Sequence, residues 1–550
     1  MKNNFFSVLS ASRRLTAETL RTRSLLNSVA MFKALARVVA PTRFEWLASI
    51  LSGLLLLFAF PNFDFALLAW IALVPLFMAI ARRPSPGTTL LLGWVTGSLF
   101  YYASCYWLTY SMIRYGELPP VVAYLLLVPA AIVAGLFTGL ATAAIAVTVK
   151  RFGNWTLMAA PIFWVAFDWV RLEVTGQLWN AIGYSQAFTW SGLIVQPAQW
   201  GGVYAVSFLL VLVNAALALA LIKRRLPELT VAAGVVAVVA LLIYGYAKLS
   251  TKPRLVEPDL YVIALQPNVP MTIIKSVPEL KELRERHFAA SIAALNALPR
   301  DNVRRLVVWP ESPMNFGYST EQEFKNQVAK FTQENHASLI LNSLEPAPND
   351  GAYNSALLIN EEGRLIAQYD KIRLMPFGEY VPLPQWLPGA SLITGLVGEF
   401  TAGSKYTVMP VGTHRAGVFI CIESAYPWIA RRLSEEGADV LINISNDGYL
   451  GPTAVMRQHL ANNVFRAVEN RRTLLRVTNT GLSALISADG KIQDQTRGYQ
   501  IDVRAWKIGP TATGQTFYTR HGDIFVHLCA VLGFVILVAT FYRRRGVAVT

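Results

Sequence analysis

Between residues 45 and 249 the chain carries seven apolar runs, near 45–61, 64–81, 88–110, 120–148, 155–172, 198–222 and 229–249. Each approaches the roughly 20 residues that a helix needs to cross the hydrocarbon core of a bilayer. No other feature constrains the fold as strongly. In lipid, backbone polar groups must be satisfied within the segment, so an apolar run of this length forms a helix. The connections alternate in charge. Arg82-Arg83, Lys150-Arg151 and Lys223-Arg224-Arg225 mark every second one, while the others hold Asp64, Arg114 with Glu117, and Arg171 with Glu173. Basic clusters stay on the cytoplasmic side. The alternation therefore predicts a cytoplasmic N-terminus, a seven-helix membrane domain over 44–249, and delivery of the chain to the outside after Leu249. A further apolar run, Ile524–Phe541, ends in Arg543-Arg544-Arg545 and predicts a returning span over 523–542.

Composition agrees with this division. Of 550 residues, 54% are hydrophobic and 15% charged, too apolar for an ordinary soluble protein, while the length leaves room for a globular domain beside the membrane domain. The net charge of +15 is read as inside-facing loops rather than as nucleic-acid binding. Residues 1–43 are rich in Arg and Lys without an apolar run. They are expected to form a basic cytoplasmic extension touching anionic lipid, not a cleavable signal. The six histidines show no metal-ligand spacing, which argues against a structural zinc site.

Residues 173–197 are too polar to span and unusually aromatic, with Trp179-Asn180-Ala181-Ile182-Gly183-Tyr184-Ser185-Gln186. Two readings stand: an anchor at the outer interface, where Trp and Tyr settle, or part of a lipid entrance that uses Tyr184. Asp168 and Arg171, three apart, are placed to pair at a helix end.

After a linker at 250–258, the composition from Asp259 to about 515 becomes that of an α/β domain. Strands are expected at Leu260–Leu265, Leu306–Trp309, Leu339–Asn342, Ser355–Ile359, Gly417–Ile422, Val440–Ile444, Leu474–Val477 and Ala484–Ser487. Helices are expected over 279–298, 320–335, 426–436 and 453–470.

Three polar residues in this domain form a chemical set. Glu311 follows the apolar run Leu306-Val307-Val308-Trp309, and Lys371 stands in Tyr369-Asp370-Lys371-Ile372. Cys421 lies at the end of Val418-Phe419-Ile420. Taken singly, each has a bland reading: a loop carboxylate, a surface lysine, a buried structural thiol. Together they supply what acyl transfer needs. A thiolate attacks, a fixed cation stabilises the oxyanion, and a carboxylate moves protons.

The motifs in order are Trp309-Pro310-Glu311, Asp370-Lys371 followed by Pro376-Phe377-Gly378-Glu379-Tyr380-Val381-Pro382, and Cys421-Ile422-Glu423. With Asn443-Ile444-Ser445-Asn446-Asp447-Gly448, Gln458-His459, Arg466-Ala467-Val468-Glu469 and Arg476-Val477-Thr478-Asn479, they resemble the nitrilase superfamily. Joined to seven preceding spans and one following span, the chain resembles the bacterial apolipoprotein N-acyltransferase family over roughly 44–542.

The resemblance implies a multi-span α-helical membrane domain carrying an α/β nitrilase-like αββα sandwich on the periplasmic side of the bacterial inner membrane. It implies Glu311 as general base, Lys371 as oxyanion stabiliser, Cys421 as nucleophile, and Glu379 and Glu423 as supporting carboxylates. It also implies a phospholipid acyl donor and a diacylglyceryl-modified apolipoprotein as acceptor. No metal or organic cofactor is expected, and the protein is read as a monomer. Ile422 stands where the family usually has an aromatic residue, and Ile274 or Lys275 near a usual Trp.

The stretch 381–398 holds Pro382, Trp386 and Leu387 among glycines. It is either a loop packed on its own domain or a lid dipping into lipid through Trp386 and Leu387. Asn446 is a further candidate for substrate contact. Two other functions are weighed. A membrane-tethered amidase shares the Cys, Lys and Glu but gives no reason for the spans. A transporter would carry paired charges in mid-membrane, and these spans hold few.

Overall fold

The computed structural model describes residues 40–61, 63–189, 192–249, 257–271, 276–311, 313–348, 351–376, 378–380, 400–510 and 514–542. Trp386 and Leu387, the proposed lid, lie outside the described residues, as do Ile274 and Lys275.

In the N-terminal region the helices are α1 (Arg43–Ala59), α2 (Val74–Arg82), α3 (Pro86–Ser104), α4 (Leu108–Arg114), α5 (Pro120–Phe152), α6 (Ala160–Thr175), α7 (Ala198–Lys223) and α8 (Leu226–Leu249). Thr42 opens α1 with a capping box: its hydroxyl accepts from the Glu45 amide, and the Glu45 carboxylate accepts from the Thr42 amide. Among the described residues, four helices are long and apolar enough to cross a membrane: α5, α7, α8 and the C-terminal Ile524–Tyr542.

Three of the expected runs are broken. The run at 64–81 is a 3₁₀ turn at Ala66–Trp70 followed by α2. The run at 88–110 ends at Ser104 and restarts as α4. The run at 155–172 begins as a 3₁₀ turn at Asn154–Ala159. Asn214 of α7 explains the first break. Its amide donates to the Ala69 carbonyl at 2.9 Å, and its oxygen accepts from the Leu73 amide at 2.7 Å. A side chain inserted at the break replaces the backbone bonds that a continuous helix would have made.

Helices α3 and α5 approach through Gly93, Gly97, Gly135 and Gly139. A Cβ on Gly93 would lie 2.1 Å from the Thr142 hydroxyl, and one on Gly135 would lie 2.4 Å from the Ser98 amide nitrogen. Small residues spaced four apart let two apolar helices pack backbone against backbone.

The second domain is built on two six-stranded sheets. The strands are β1 (Leu260–Gln266), β2 (Arg304–Val308), β3 (Ser338–Pro346), β4 (Ala352–Ile359), β5 (Leu365–Asp370), β6 (Val408–Val411), β7 (His414–Ile420), β8 (Val440–Ser445), β9 (Thr473–Thr478), β10 (Ala484–Ile486), β11 (Ile492–Gln495) and β12 (Asp502–Ile508). Their order is β12-β1-β2-β3-β4-β5 in one sheet and β11-β10-β9-β8-β7-β6 in the other. The centre of each is parallel, β1-β2-β3 and β7-β8-β9, with antiparallel strands outside.

Helices α9 (Val277–Asn296) and α10 (Gln322–Asn335) cover the outer face of the first sheet. Helices α11 (Pro427–Glu435) and α12 (Val455–Asn470) cover the second. Side-chain alternation sorts the cores. Leu260, Val262 and Ala264 of β1 face the second sheet, whereas Ile263 and Leu265 join Leu283, Phe324 and Val328 under the helices. The fold is the expected αββα sandwich. A short helix, α13 (Phe517–His521), leads into α14 (Ile524–Tyr542), which packs on α6 and α7.

The two domains meet along α7, α12 and the segment 177–186. Helix α7 loses helical geometry at Gly201 and at Gly202, where φ is +63°. The freed Val203 amide donates to Oε1 of Glu469 on α12 at 3.1 Å. Trp179 and Tyr184, expected at a membrane interface or lipid entrance, are buried in this junction.

Candidate active site

Strand direction brings the three candidate residues together. β5 runs parallel to β2, because each is an even number of antiparallel steps from β3. Glu311 and Lys371 therefore leave the same edge of the first sheet. Cys421 leaves the matching edge of the second sheet, beside Asn446 and Asp447 after β8 and Asn479 after β9. Side chains at the carboxyl ends of parallel strands are free of the ladder and point into the crevice.

Strand β7 stops at Ile420, two residues earlier than the expected strand. Cys421 has φ +53° and opens a 3₁₀ turn, Cys421–Ala425. A non-glycine residue in the left-handed region is held only by its surroundings. Here the Cys421 carbonyl accepts from Nε2 of His459 at 2.8 Å and from Nδ2 of Asn443 at 3.4 Å. The turn lifts the thiol off the strand end.

Lys371 is 1% exposed. Its Nζ lies 2.8 Å from Oε1 of Glu379 and 3.2 Å from Oε1 of Glu311. Asn354 of β4 donates to the same two carboxylate oxygens, at 2.9 Å each. Its own oxygen accepts from Asn342 of β3 at 2.7 Å. The remaining oxygen of Glu311 accepts from the Asn446 amide at 3.1 Å, and that of Glu379 from the Met375 amide at 2.7 Å. Burial disfavours the Lys371 cation, but Glu311 and Glu379 outweigh it and hold the ammonium well above its ordinary value.

Burial pushes the Cys421 thiol up, Glu311 adds to this, and Lys371 opposes it. The resting thiol is therefore protonated, with a carboxylate and an ammonium beside it.

Glu423 sits behind these groups, fully buried. Its Oε1 accepts from the Ile372 and Arg373 amides at 2.7 and 3.0 Å. Its Oε2 accepts from the Ile420 amide at 2.7 Å, and the Tyr369 hydroxyl reaches both oxygens at 2.9 Å. One side chain thus ties the turn after Lys371 to the strand before Cys421. Burial pushes its carboxyl up to about 7, against the pull of the backbone donors.

Asn446 lines the same crevice. Its Nδ2 reaches the Met271 sulfur at 3.0 Å, and Asn479 donates to its oxygen at 3.2 Å. Tyr184 stands apart, with its hydroxyl accepting from Arg466 at 3.2 Å.

Sequence reasoning assigned no role to Asn342 and Asn354. The available signal was an amide side chain inside an apolar strand, which must find partners once buried. Two further arrangements were also missed. Arg476 grips Asp447 at 2.7 and 3.0 Å, and Asp447 meets Nδ1 of His459 at 2.9 Å. Next to it, Gln458 enters the membrane domain, where it accepts from Trp107 and Trp179 at 3.0 and 2.8 Å and donates to the Ser104 and Pro61 carbonyls at 2.9 and 3.2 Å.

A half-buried thiol on a strained turn, a caged ammonium and the carboxylate that the ammonium touches form a site for attack on a carbonyl carbon. Comparison with known proteins agrees with both halves of the chain. Residues 52–216 match the apolipoprotein N-acyltransferase N-terminal domain, and residues 271–503 match carbon-nitrogen hydrolase. An apolipoprotein N-acyltransferase of Geobacter metallireducens is 33% identical over 92% of this chain and 96% of its own length. One from Chlorobaculum tepidum is 28% identical over 90% of this chain and 96% of its own. Likeness of this extent runs through the membrane helices and the sandwich alike, and the chain belongs to the apolipoprotein N-acyltransferase family.

Proposed function

We propose that this N-acyltransferase moves an acyl chain from a phospholipid to the N-terminal amine of a diacylglyceryl-cysteine lipoprotein, through a thioester on Cys421. The observation that carries this reading is the caged Lys371 ammonium, 3.2 Å from Glu311, at the crevice where the Cys421 turn opens.

Glu311 takes the thiol proton as the sulfur attacks the phospholipid ester carbonyl. The oxyanion forms beside Lys371, which is already desolvated and fixed. Collapse expels the lysophospholipid alkoxide, which leaves with the proton from Glu311. The neutral lipoprotein amine then attacks the thioester. Glu311 accepts its proton, and the C–S bond breaks to give the amide and a thiolate that is reprotonated. Glu379 and Glu423 hold Lys371 and the two turns in place.

In this reading residues 44–249 and 523–542 form the membrane domain of a bacterial inner-membrane protein, and 259–515 face the periplasm. Residues 1–43 remain inside. Asn446 meets the substrate. The protein acts as a monomer.

Incubation with labelled phospholipid alone is the test. The wild type is expected to accumulate a label that neutral hydroxylamine removes, and a diacylglyceryl peptide with a free amine should discharge it. Its N-acetylated form should not, and Cys421→Ala should carry no label. Discharge to water at the same rate without any amine would make the protein a lipid hydrolase. Turnover of a small soluble amide without phospholipid would favour the tethered amidase.

A further inference from the structure

His459 is 2% exposed, and both of its ring nitrogens face acceptors. Nδ1 lies 2.9 Å from a carboxylate oxygen of Asp447, and Nε2 lies 2.8 Å from the Cys421 carbonyl. A neutral imidazole has one N–H, so one of these contacts would set a lone pair against a lone pair. A proton on Asp447 would relieve this, but Asp447 is gripped by Arg476 and reached by the Ser445 hydroxyl at 3.3 Å. Burial alone would raise that carboxyl; the Arg476 charge overrides it and holds the group far below the usual carboxylate range. The remaining arrangement is a ring protonated on both nitrogens.

Burial, with the Arg476 charge second, pulls the imidazole below its ordinary 6.5 against the opposing pull of Asp447 and the Cys421 carbonyl, so the protonated ring stands on the contact geometry alone. The hydrogen-bond count decides between them, because two acceptors at under 3 Å cannot share one proton donor. The ring of Trp179 lies 5.7 Å from the imidazole, tilted by 58°. That indole is held by Gln458, the neighbour of His459 on α12.

The charge has a use. Beside Cys421, one ammonium stands against the carboxylates of Glu311 and Glu379. A thiolate formed there would add a third anion to a single cation. The groups on the other side of Cys421 are one guanidinium, one carboxylate and the imidazole, so a protonated ring makes that side net positive.

We infer that Asp447, kept ionised by Arg476, holds His459 as a buried imidazolium whose Nε2–H grips the Cys421 carbonyl, and that this cation is a positioning group that supports the thiolate. The inference rests on Cys421 as the nucleophile. His459 touches no reacting atom and acts through the backbone of the residue that does.

The protonation state is read directly, on the intact chain in nanodiscs with ¹⁵N-labelled histidine. His459→Gln identifies the resonances by their loss. Trp179→Phe identifies them by a changed ring-current shift, should the first variant not fold. At neutral pH both nitrogens of His459 should appear protonated; a bare nitrogen in the wild type overturns the proposal. The second readout is the pH profile of Cys421 alkylation by iodoacetamide. One opposite charge at close range moves a pKa by about 1–3 units, so His459→Gln should alkylate roughly tenfold or more slowly at neutral pH and converge with wild type at high pH. An imidazolium with an unchanged profile removes its role toward the thiolate. Loss of the acyl-enzyme with the imidazolium intact would instead count against Cys421 as nucleophile, so the two ideas fail separately.

Discussion

The ammonium of Lys371 lies 2.8 Å from Oε1 of Glu379, an oxygen that Asn354 also holds at 2.9 Å. A cation pinned this way needs no reorganisation when negative charge develops beside it. Lys371→Met is expected to lower both thioester formation and amide formation roughly a hundredfold or more. Lys371→Arg should rescue little, because a planar fork does not fit a socket shaped for a compact ammonium. Rates of the two half-reactions by mass spectrometry are the check. Wild-type rates in the Arg variant would reduce Lys371 to an electrostatic neighbour.

Gln458 joins two domains through one side chain that two indoles and two carbonyls share. Gln458→Leu fills the space and leaves these groups unpaired. A buried group left so costs about 1–3 kcal/mol, and partial relaxation should bring the total to about 3 kcal/mol. The thermal midpoint in detergent should fall clearly. Gln458→Glu keeps the acceptor for the indoles but sets a carboxylate oxygen against the two carbonyls, and should fall at least as far. An unchanged midpoint for the Leu variant would show that the socket contributes nothing.

His414 is clamped between Asp259, at 2.7 Å from Nε2, and Asp439, at 3.5 Å from Nδ1. It ties the start of β1 to the second sheet. The Asp439 carboxylate raises the imidazole above its ordinary 6.5, burial opposes this, and Asp259 adds to it. A raised histidine stabilises the fold fully below pH 6.5, and that stability fades as pH rises through the raised value. Burial pushes Asp439 up, but His414 and the Arg415 amide bring it below its ordinary 3.8. That share is present above pH 3.8 and fades as the pH falls through the lowered value. The clamp should therefore hold best between about 4 and 6.5. Thermal midpoints of wild type and His414→Gln should differ most in that window and converge above it. A difference that grows toward pH 9 would contradict the assignment.

Topology gives the fourth expectation. By the positive-inside rule, the basic clusters are expected to leave both termini inside and the sandwich outside. A reporter active only after export should work when fused after Leu249, and one active only in the cytoplasm should work at Thr550. The reverse pattern would exclude a periplasmic catalytic domain.

Apolar strands alternating with charged helical stretches marked out an α/β domain, and the αββα sandwich was an expectation from the family resemblance. The expected strands at 260–265, 440–444 and 474–477 lie within Leu260–Gln266, Val440–Ser445 and Thr473–Thr478. These central strands are buried on both faces and mostly apolar, so local composition suffices. Glu311 and Cys421 stood out as reactive groups next to expected apolar strands, and Lys371 stood out through the motif that runs from Tyr369 to Pro382. The edge strands β5, β6, β11 and β12 were not foreseen: half or more of each is exposed or partly so, and mixed polarity resembles a loop. Tertiary structure alone decided the rest. The left-handed turn at Cys421 exists because His459 and Asn443 hold its carbonyl. The break before α2 exists because Asn214, some 140 residues later, fills it. Gln458 finds its partners near residues 61, 104 and 179 only when the domains dock. Periodicity reports which face of an element avoids water. It carries no record of which distant polar group will meet that face, and in this protein those meetings shape the site.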